Sequence, residues 1–284
     1  MSSESIYKSS AGESAVMAMT EAMMARWPLP YKSLNVPTHH GNTIVIVCGK
    51  EAGPALLLLH GAGTNSVMWA GDVAEYGRQY HVYAVDLLGE PGKSAPNRPP
   101  WDGPAYAEWL EDVLDSLKIE RATLIGLSQG GWTALKFAVY KPERVEKLVL
   151  LSPGGIVPDR LSFILRAVLL SLLGRWGIKR IHRMVLGGQT VSEEVEEAMT
   201  LIMTHFKPRL GVLPIFPDRE LQRLTMPIML LIGAQDALRD AEKISTRLRK
   251  LVPHLAAEII PGGGHALLNT TVQILPFLSA AEGA

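Results

Sequence analysis

Gly126-Leu127-Ser128-Gln129-Gly130 is the stretch of this chain best suited to nucleophilic chemistry. An apolar run, residues 123–127, leads into the serine, and a helical pattern over 132–140 follows it. A serine at a sharp strand-to-helix turn is a nucleophile elbow, with its hydroxyl lifted clear of the sheet. Glycine flanks it at 126 and 130 because a side chain there would strike the neighbouring backbone. A serine hydroxyl is a poor nucleophile at neutral pH and needs a base in contact with it. Of the eight histidines, His265 is best placed, because Pro261-Gly262-Gly263-Gly264 frees the backbone just after a last strand. The imidazole in turn needs a carboxylate to hold its tautomer. Asp236, just past the apolar run Ile228–Gly233, is the first choice, with Asp240 as fallback. An oxyanion needs preorganised N–H donors. Gln129 N–H opens a helix, where donors and dipole point outward. Ala62 N–H, in the loop after Ala55–Leu59, is the natural second donor. His60 reads as a prop for that loop, since a second general base has no role once His265 fills it.

These residues can meet only if the elements before them run the same way. Tyr31–Val36 and residues 42–48 alternate as two strands joined around Gly41. Ala55–Leu59, His81–Val85, Val145–Leu151 and Ile228–Gly233 are apolar runs of the kind covered on both faces, and residues 256–260 read as a last strand. Helical patterns fall at 66–76 with Trp69 inward, at 105–117 with Trp109, Val113, Leu114 and Leu117 at helical spacing, at 240–251 and at 266–278. Strand and helix in alternation predict a mostly parallel sheet with helices on both faces. Strand C-termini then share one rim, so Ser128, Asp236 and His265, in that chain order, emerge together. Residues 153–225 break the rhythm. They are helical in pattern and predict a lid over the sheet, dividing the chain into a core of 1–152 plus 226–284 and an insertion. At the N-terminus, residues 1–11 are expected to be frayed. Residues 13–27 read as a packing helix stopped by Pro28, with Met17, Met19, Met23 and Met24 as an alternative adaptable contact.

Bulk properties narrow the function. With 28 basic and 28 acidic residues the formal charge is zero, which argues against a nucleic-acid partner. The single cysteine, Cys48, excludes an internal disulfide and favours cytoplasm. Residues 1–8 carry no signal pattern. The apolar run between Leu161 and Leu173, broken by Arg166, is too short to span a bilayer, so a soluble protein is expected. Gly92-Lys93-Ser94 resembles the end of a phosphate-binding loop, but position 87 is leucine where that loop needs glycine. Asp86 and Gly89 are better read as a structural turn. Adjacent His39 and His40 and the lack of cysteine pairs give no metal pattern. The glutamates at 193, 194, 196 and 197 read as a solvated helix start.

On His60-Gly61-Ala62-Gly63, the stretch from Asp86 to Ser94, Gly126 to Gly131, Gly233 to Asp236 and Gly264-His265, the sequence resembles the α/β-hydrolase superfamily. Over most of its length it resembles lidded bacterial serine carboxylesterases, including an N-terminal helical extension over residues 1–30. The resemblance implies an eight-stranded sheet, a helical cap between strands six and seven, a Ser128–His265–Asp236 triad, a covalent acyl-enzyme and no cofactor. Two stretches depart from the family: residues 266–278 lack a Glu-x-Pro, and Gly89-Glu90-Pro91-Gly92 replaces the commoner Gly-x-Gly. The expected substrate is a hydrophobic small-molecule ester, with Gly61, Trp132 and cap residues near Leu161 to Leu173 as candidate contacts. Arg175, Lys179, Arg180, His182 and Arg183 form a basic cluster, either a solvated helix face or a site for a substrate carboxylate. The same triad could also serve perhydrolase or haloperoxidase, lactonase or carbon–carbon bond hydrolysis, and a non-catalytic small-molecule receptor could keep the cleft. Dehalogenase and epoxide hydrolase chemistry is disfavoured, because it needs aspartate at the elbow.

Overall fold

In a computed structural model, which describes residues 5–280, the apolar runs pair into one eight-stranded sheet. The strands are β1 (Tyr31–Val36), β2 (Thr43–Gly49), β3 (Ala55–Leu59), β4 (His81–Val85), β5 (Ala122–Leu127), β6 (Val145–Leu151), β7 (Ile228–Gly233) and β8 (Leu255–Ile260). Their order is β1-β2-β4-β3-β5-β6-β7-β8. β2 pairs antiparallel with both β1 and β4, and every later pairing is parallel. The helices are α1 (Ser10–Met24), α2 (Val73–Tyr76), α3 (Ala105–Ser116), α4 (Gln129–Tyr140), α5 (Leu161–Ser171), α6 (Gly174–Leu186), α7 (Glu193–His205), α8 (Asp218–Leu221), α9 (Ala241–Leu251) and α10 (Thr271–Ser279).

The sheet is buried on both faces because its central strands have no polar face to offer. Along β3, Leu57 and Leu59 pack with Trp109, Leu110 and Phe137 on one side. Leu56 and Leu58 pack with Trp69, Tyr76 and Ile274 on the other. Each such leucine contributes about 1.5–3 kcal/mol by leaving water, and the period of two divides them between faces. The parallel strands therefore end at one rim, as the alternation of strand and helix predicts.

Three local expectations need correction. Residues 5–11 are not frayed. Ile6 and Tyr7 are buried, Tyr7 bridges to Phe206, and Ser9 caps α1 by accepting from Gly12 N–H at 3.1 Å. Residues 1–4 lie outside the described range. The helix expected over 66–76 splits into a 3-10 turn, Ser66–Gly71, and the short α2. The last helix starts at Thr271, not 266. Before it, Ala266 N–H donates to Val185 O and Leu268 N–H to Gln189 Oε1, and Asn269 is left-handed at φ 56°. Bonds to the chain between β6 and β7 replace a helical turn there.

That intervening chain is helical, as expected, but α5, read as a candidate substrate contact, leaves its apolar residues at the surface. It has no buried residue, and Leu161, Leu165, Val168 and Leu169 are exposed. Its apolar face meets neither core nor nucleophile. With Arg166 and Leu170 it lines a surface groove bounded by Trp176, Arg180, Arg183 and Met184 of α6. Among the described residues, no helix is long and apolar enough to cross a membrane.

The turn from β5 into α4 depends on close approach. A Cβ on Gly130 would fall inside contact distance of the Leu59 carbonyl oxygen, and one on Gly126 would strike the Gly130 carbonyl. The neighbours are backbone, so nothing flexible can give way. Gly130→Ala is expected to cost about 3 kcal/mol or more, at the upper end of single-site effects, measurable as a lowered urea midpoint with an unchanged slope.

Candidate active site

Ser128 sits between β5 and α4 at φ 54° and ψ −107°, a conformation strained for a residue with a Cβ. Its N–H donates to Leu151 O at 2.9 Å, and its carbonyl accepts from Trp132 N–H at 2.9 Å and Gly154 N–H at 3.1 Å. These bonds hold the turn and aim the side chain at the rim.

His265 reaches that hydroxyl. Its Nε2 lies 2.9 Å from Ser128 Oγ, and its Nδ1 lies 2.8 Å from Asp236 Oδ2. Asp236 cannot rotate freely, because its other oxygen accepts the N–H groups of Leu238 at 2.8 Å and Arg239 at 2.9 Å. Burial works against its charge. The His265 contact, the Arg239 N–H and the Arg239 guanidinium outweigh burial and hold the carboxyl below the usual range. Asp240, the fallback, is engaged elsewhere. It caps α9 by accepting from Lys243 N–H at 3.2 Å and pairs with Arg160.

The glycines before His265 act differently from the expectation of a freed backbone. Only Gly262 among them has positive φ, at 71°. A Cβ on Gly264 would collide with the backbone of Leu186 and Val185, and Gly187 bridges to Gly263. The histidine loop is clamped between the end of β7 and the end of α6.

The loop after β3 packs against the elbow. Gly61 faces Leu127, whose Cδ2 would lie 3.5 Å from an added Cβ. His60 is fully buried. Its Nδ1 donates to Gly61 O at 2.8 Å and its Nε2 accepts Leu87 N–H at 2.8 Å. The second bond requires the neutral ring, and burial lowers the ring's pKa from its usual value. His60 therefore props this loop, as read from the sequence. Asp86 likewise serves a turn, accepting Ser66 N–H at 2.8 Å, Ser66 Oγ–H at 2.5 Å and Lys93 N–H at 3.1 Å. Ala62 and Gln129 thus stand on two adjoining elements that flank Ser128.

Two other candidate contacts are placed elsewhere. Trp132 is fully buried among Trp101, Tyr106 and Phe216, with Nε1–H donating to Pro214 O at 3.0 Å. It is packing, not an open wall. The basic cluster is largely occupied: Arg175 pairs with Glu197 at 2.6 Å, Lys179 with Glu197 at 3.2 Å, and Arg180 lies over Trp176. Of the four glutamates that open α7, Glu194, Glu196 and Glu197 are ion-paired, with Arg26 taking Glu194, while Glu193 is exposed as expected. Among the described residues there is no group of three or more histidine, cysteine or acidic side chains suited to a metal ion.

Two charged residues at the site escape sequence reasoning. The first is Arg239, whose Nη1 donates to Ser128 Oγ at 3.1 Å. The second is Glu90, whose Oε2 accepts Gly63 N–H at 2.7 Å beside Ala62. Its place in the departing Gly89-Glu90-Pro91-Gly92 turn was a signal. Arg239 had none beyond lying three residues after Asp236.

The model of the alpha/beta hydrolase family matches residues 56–275. The chain belongs to this family. It is 34% identical over 274 residues to an uncharacterized carboxylesterase, nap, of Bacillus subtilis, covering 92% of this chain and 91% of that one. It is 31% identical over 256 residues to carboxylesterase YbfK of the same organism, covering 86% and 85%. The solved structure of naproxen esterase (carboxylesterase NP) from Bacillus subtilis superposes with a TM-score of 0.86 at 29% identity, covering 96% of this chain and 100% of the other.

Burial pushes the Glu90 carboxyl up from 4.5 to about 7, against the Gly63 N–H, the nearby Gln129 side chain, Arg98 and Arg209. The Gln129 amide nitrogen itself closes no hydrogen bond, so its help is electrostatic. Between the unfolded and folded values the native state keeps a proton that the unfolded chain has lost, so stability falls as pH rises through that window. Glu90→Gln keeps an acceptor for Gly63 and removes the titration. Relative to wild type, it is expected to gain about 3 kcal/mol between pH 4 and pH 8, read as a diverging pair of denaturation midpoints. Parallel midpoints across that range would show that folding leaves the Glu90 carboxyl near its ordinary value.

Proposed function

We propose that this chain is a serine carboxylesterase acting on small-molecule esters through Ser128, His265 and Asp236. The observation that carries this reading is the relay itself: hydroxyl to imidazole at 2.9 Å and imidazole to carboxylate at 2.8 Å. The resemblance to carboxylesterases over most of the chain supports it. His265 takes the Ser128 proton as Oγ attacks the ester carbonyl. Asp236 holds the Nδ1–H tautomer and stabilises the imidazolium. The N–H groups of Ala62 and Gln129 take the developing oxyanion. His265 then returns the proton to the departing alcohol, and water repeats the sequence on the acyl-enzyme.

We read residues 153–225 as the cap. Its tie to the acid loop supports that reading: Arg160 Nη1 donates to Asp236 O at 2.9 Å, and Arg160 N–H donates to Leu238 O at 2.7 Å. Leu213 from the same segment lies against Gly154, next to Ser128 O, and favours an apolar acyl group. The cytoplasmic location suggested by the lone cysteine belongs to this proposal.

Ser128→Ala is expected to lower kcat for p-nitrophenyl esters by about 10⁴-fold or more, and Asp236→Asn by about 10⁴-fold, with folding intact. A fluorophosphonate should add its mass to wild type and not to Ser128→Ala. No label on folded wild type would favour the receptor reading. Turnover of lactones, or of peroxide with acetate, in preference to esters would move the chemistry to another reaction of the same triad.

A further inference from the structure

Arg239 is a charged side chain that hydrolysis of a neutral ester does not require. It is 2% exposed. Its Nε donates to Asp159 Oδ1 at 2.9 Å, and its Nη1 donates to Ser152 O at 2.5 Å and to Ser128 Oγ at 3.1 Å. Nη1 also lies 3.5 Å from His265 Nε2. The ion pair with Asp159 uses Nε alone. Nη1 is turned to the reacting atoms, and Nη2 makes no hydrogen bond among the described residues.

Gly154 packs closely here: an added Cβ would lie 3.2 Å from Nη2 and 2.5 Å from Leu213 Cδ1. Ser152, left-handed at φ 42° and fully buried, has an Oγ with no hydrogen-bond partner. Buried polar groups are ordinarily paired. Here an unbonded guanidinium nitrogen and an orphaned hydroxyl belong to one buried cluster beside the nucleophile.

For a neutral ester this arrangement is a handicap. A fixed cation near Nε2 opposes the imidazolium that must form in each half-reaction, and burying it is costly. A substrate that brings its own anion removes both objections. A carboxylate can accept from the N–H groups of Nη2, and its charge adds to that of Asp159 in offsetting the cation as His265 becomes protonated.

We propose that Arg239, with Ser152 Oγ, forms an anion subsite for a carboxylate carried on the acyl side of the ester, so that monoesters of short dicarboxylic acids are preferred substrates. Arg239 touches Ser128 Oγ, so the carboxylate must lie within roughly 4–6 Å of the scissile carbonyl carbon, a span of two methylenes. The reaction is ordinary hydrolysis: monoester and water give the dicarboxylate, an alcohol and a proton. The inference rests on the esterase reading for its chemistry, but not for binding of the anion.

Monomethyl succinate and methyl pentanoate differ by a carboxylate in place of an ethyl group and test the subsite in turnover. Wild type is expected to have the higher kcat/KM on the monoanion. Arg239→Met should lower that value about 100-fold, chiefly through KM, while changing the value on the neutral ester by about tenfold or less in either direction. Arg239→Lys, which keeps the charge without the second donor nitrogen, should fall between and serves if the methionine variant does not fold. Equal losses on the two esters would overturn the subsite. Binding separates this outcome from failure of the esterase reading. Monomethyl succinate titrated into Ser128→Ala should bind, and the Ser128→Ala variant also carrying Arg239→Met, or Arg239→Lys, should bind it at least about tenfold more weakly. Unchanged binding defeats the subsite. Arginine-dependent binding without turnover by wild type sustains the subsite and defeats the esterase.

Discussion

The site depends on one strained residue. Ser128 is held in a left-handed conformation by backbone hydrogen bonds to Leu151, Trp132 and Gly154. Such a conformation costs of order 1–3 kcal/mol and persists only where the surroundings over-determine it. Here they do so by proximity. Gly126, Gly130 and the carbonyls of Leu59 and His60 leave no room for a side chain on either glycine. β3 and β5 pair in register, with Leu59 beside Gly126, so the register of two parallel strands fixes where the hydroxyl emerges. The apolar runs that bury those strands on both faces thus also position the nucleophile.

The helical insertion is bound to the two loops that carry His265 and Asp236. Gly187 bridges to Gly263, Ala266 N–H donates to Val185 O, and Arg160 donates to Asp236 O. These bonds explain the glycine run before His265 better than flexibility does, because close approach of α6 excludes side chains there. They also make the positions of His265 and Asp236 depend on how the insertion sits. A change in its packing would reach the proton relay without touching Ser128, and interactions fixed by such bonds have two-sided consequences.

Most of this was legible in the sequence, for identifiable reasons. Buried parallel strands read as unbroken apolar runs, and Ala55–Leu59 or Ile228–Gly233 admit no other role. The elbow is local, so its five residues carry their own geometry. The order of Ser128, Asp236 and His265 follows from a sheet whose strands share a rim. The parts that failed depend on contacts between distant segments. Tyr7 is ordered by Phe206, residues 266–268 by the end of α6 and the turn after it, and α5 is apolar without being buried. Periodicity reports which face of a helix is apolar and says nothing of what covers it. Arg239 was missed for the same reason: its neighbours Ser128, Ser152 and Asp159 lie far from it in the chain, and nothing in Leu238-Arg239-Asp240 distinguishes it from a solvated helix start.

Charge is the last constraint on the site. A serine relay needs one buried carboxylate, Asp236, and this site holds three more buried or half-buried charged groups: Arg239, Asp159 and Glu90. Each must be offset, because removing a charge from water costs several kcal/mol even after relaxation. Arg239 and Asp159 offset each other in part. Glu90 has no close ion-pair partner among the described residues and responds by holding its proton up to about 7. The consequence bears on the oxyanion. Glu90 accepts the Gly63 N–H, one residue from the proposed Ala62 donor. An ionised carboxylate at that distance would oppose negative charge developing on the substrate oxygen, and a protonated one would not. Burial therefore does more than destabilise the Glu90 anion. It keeps the loop's polar anchor while lessening the anchor's charge near the place where catalysis develops its own.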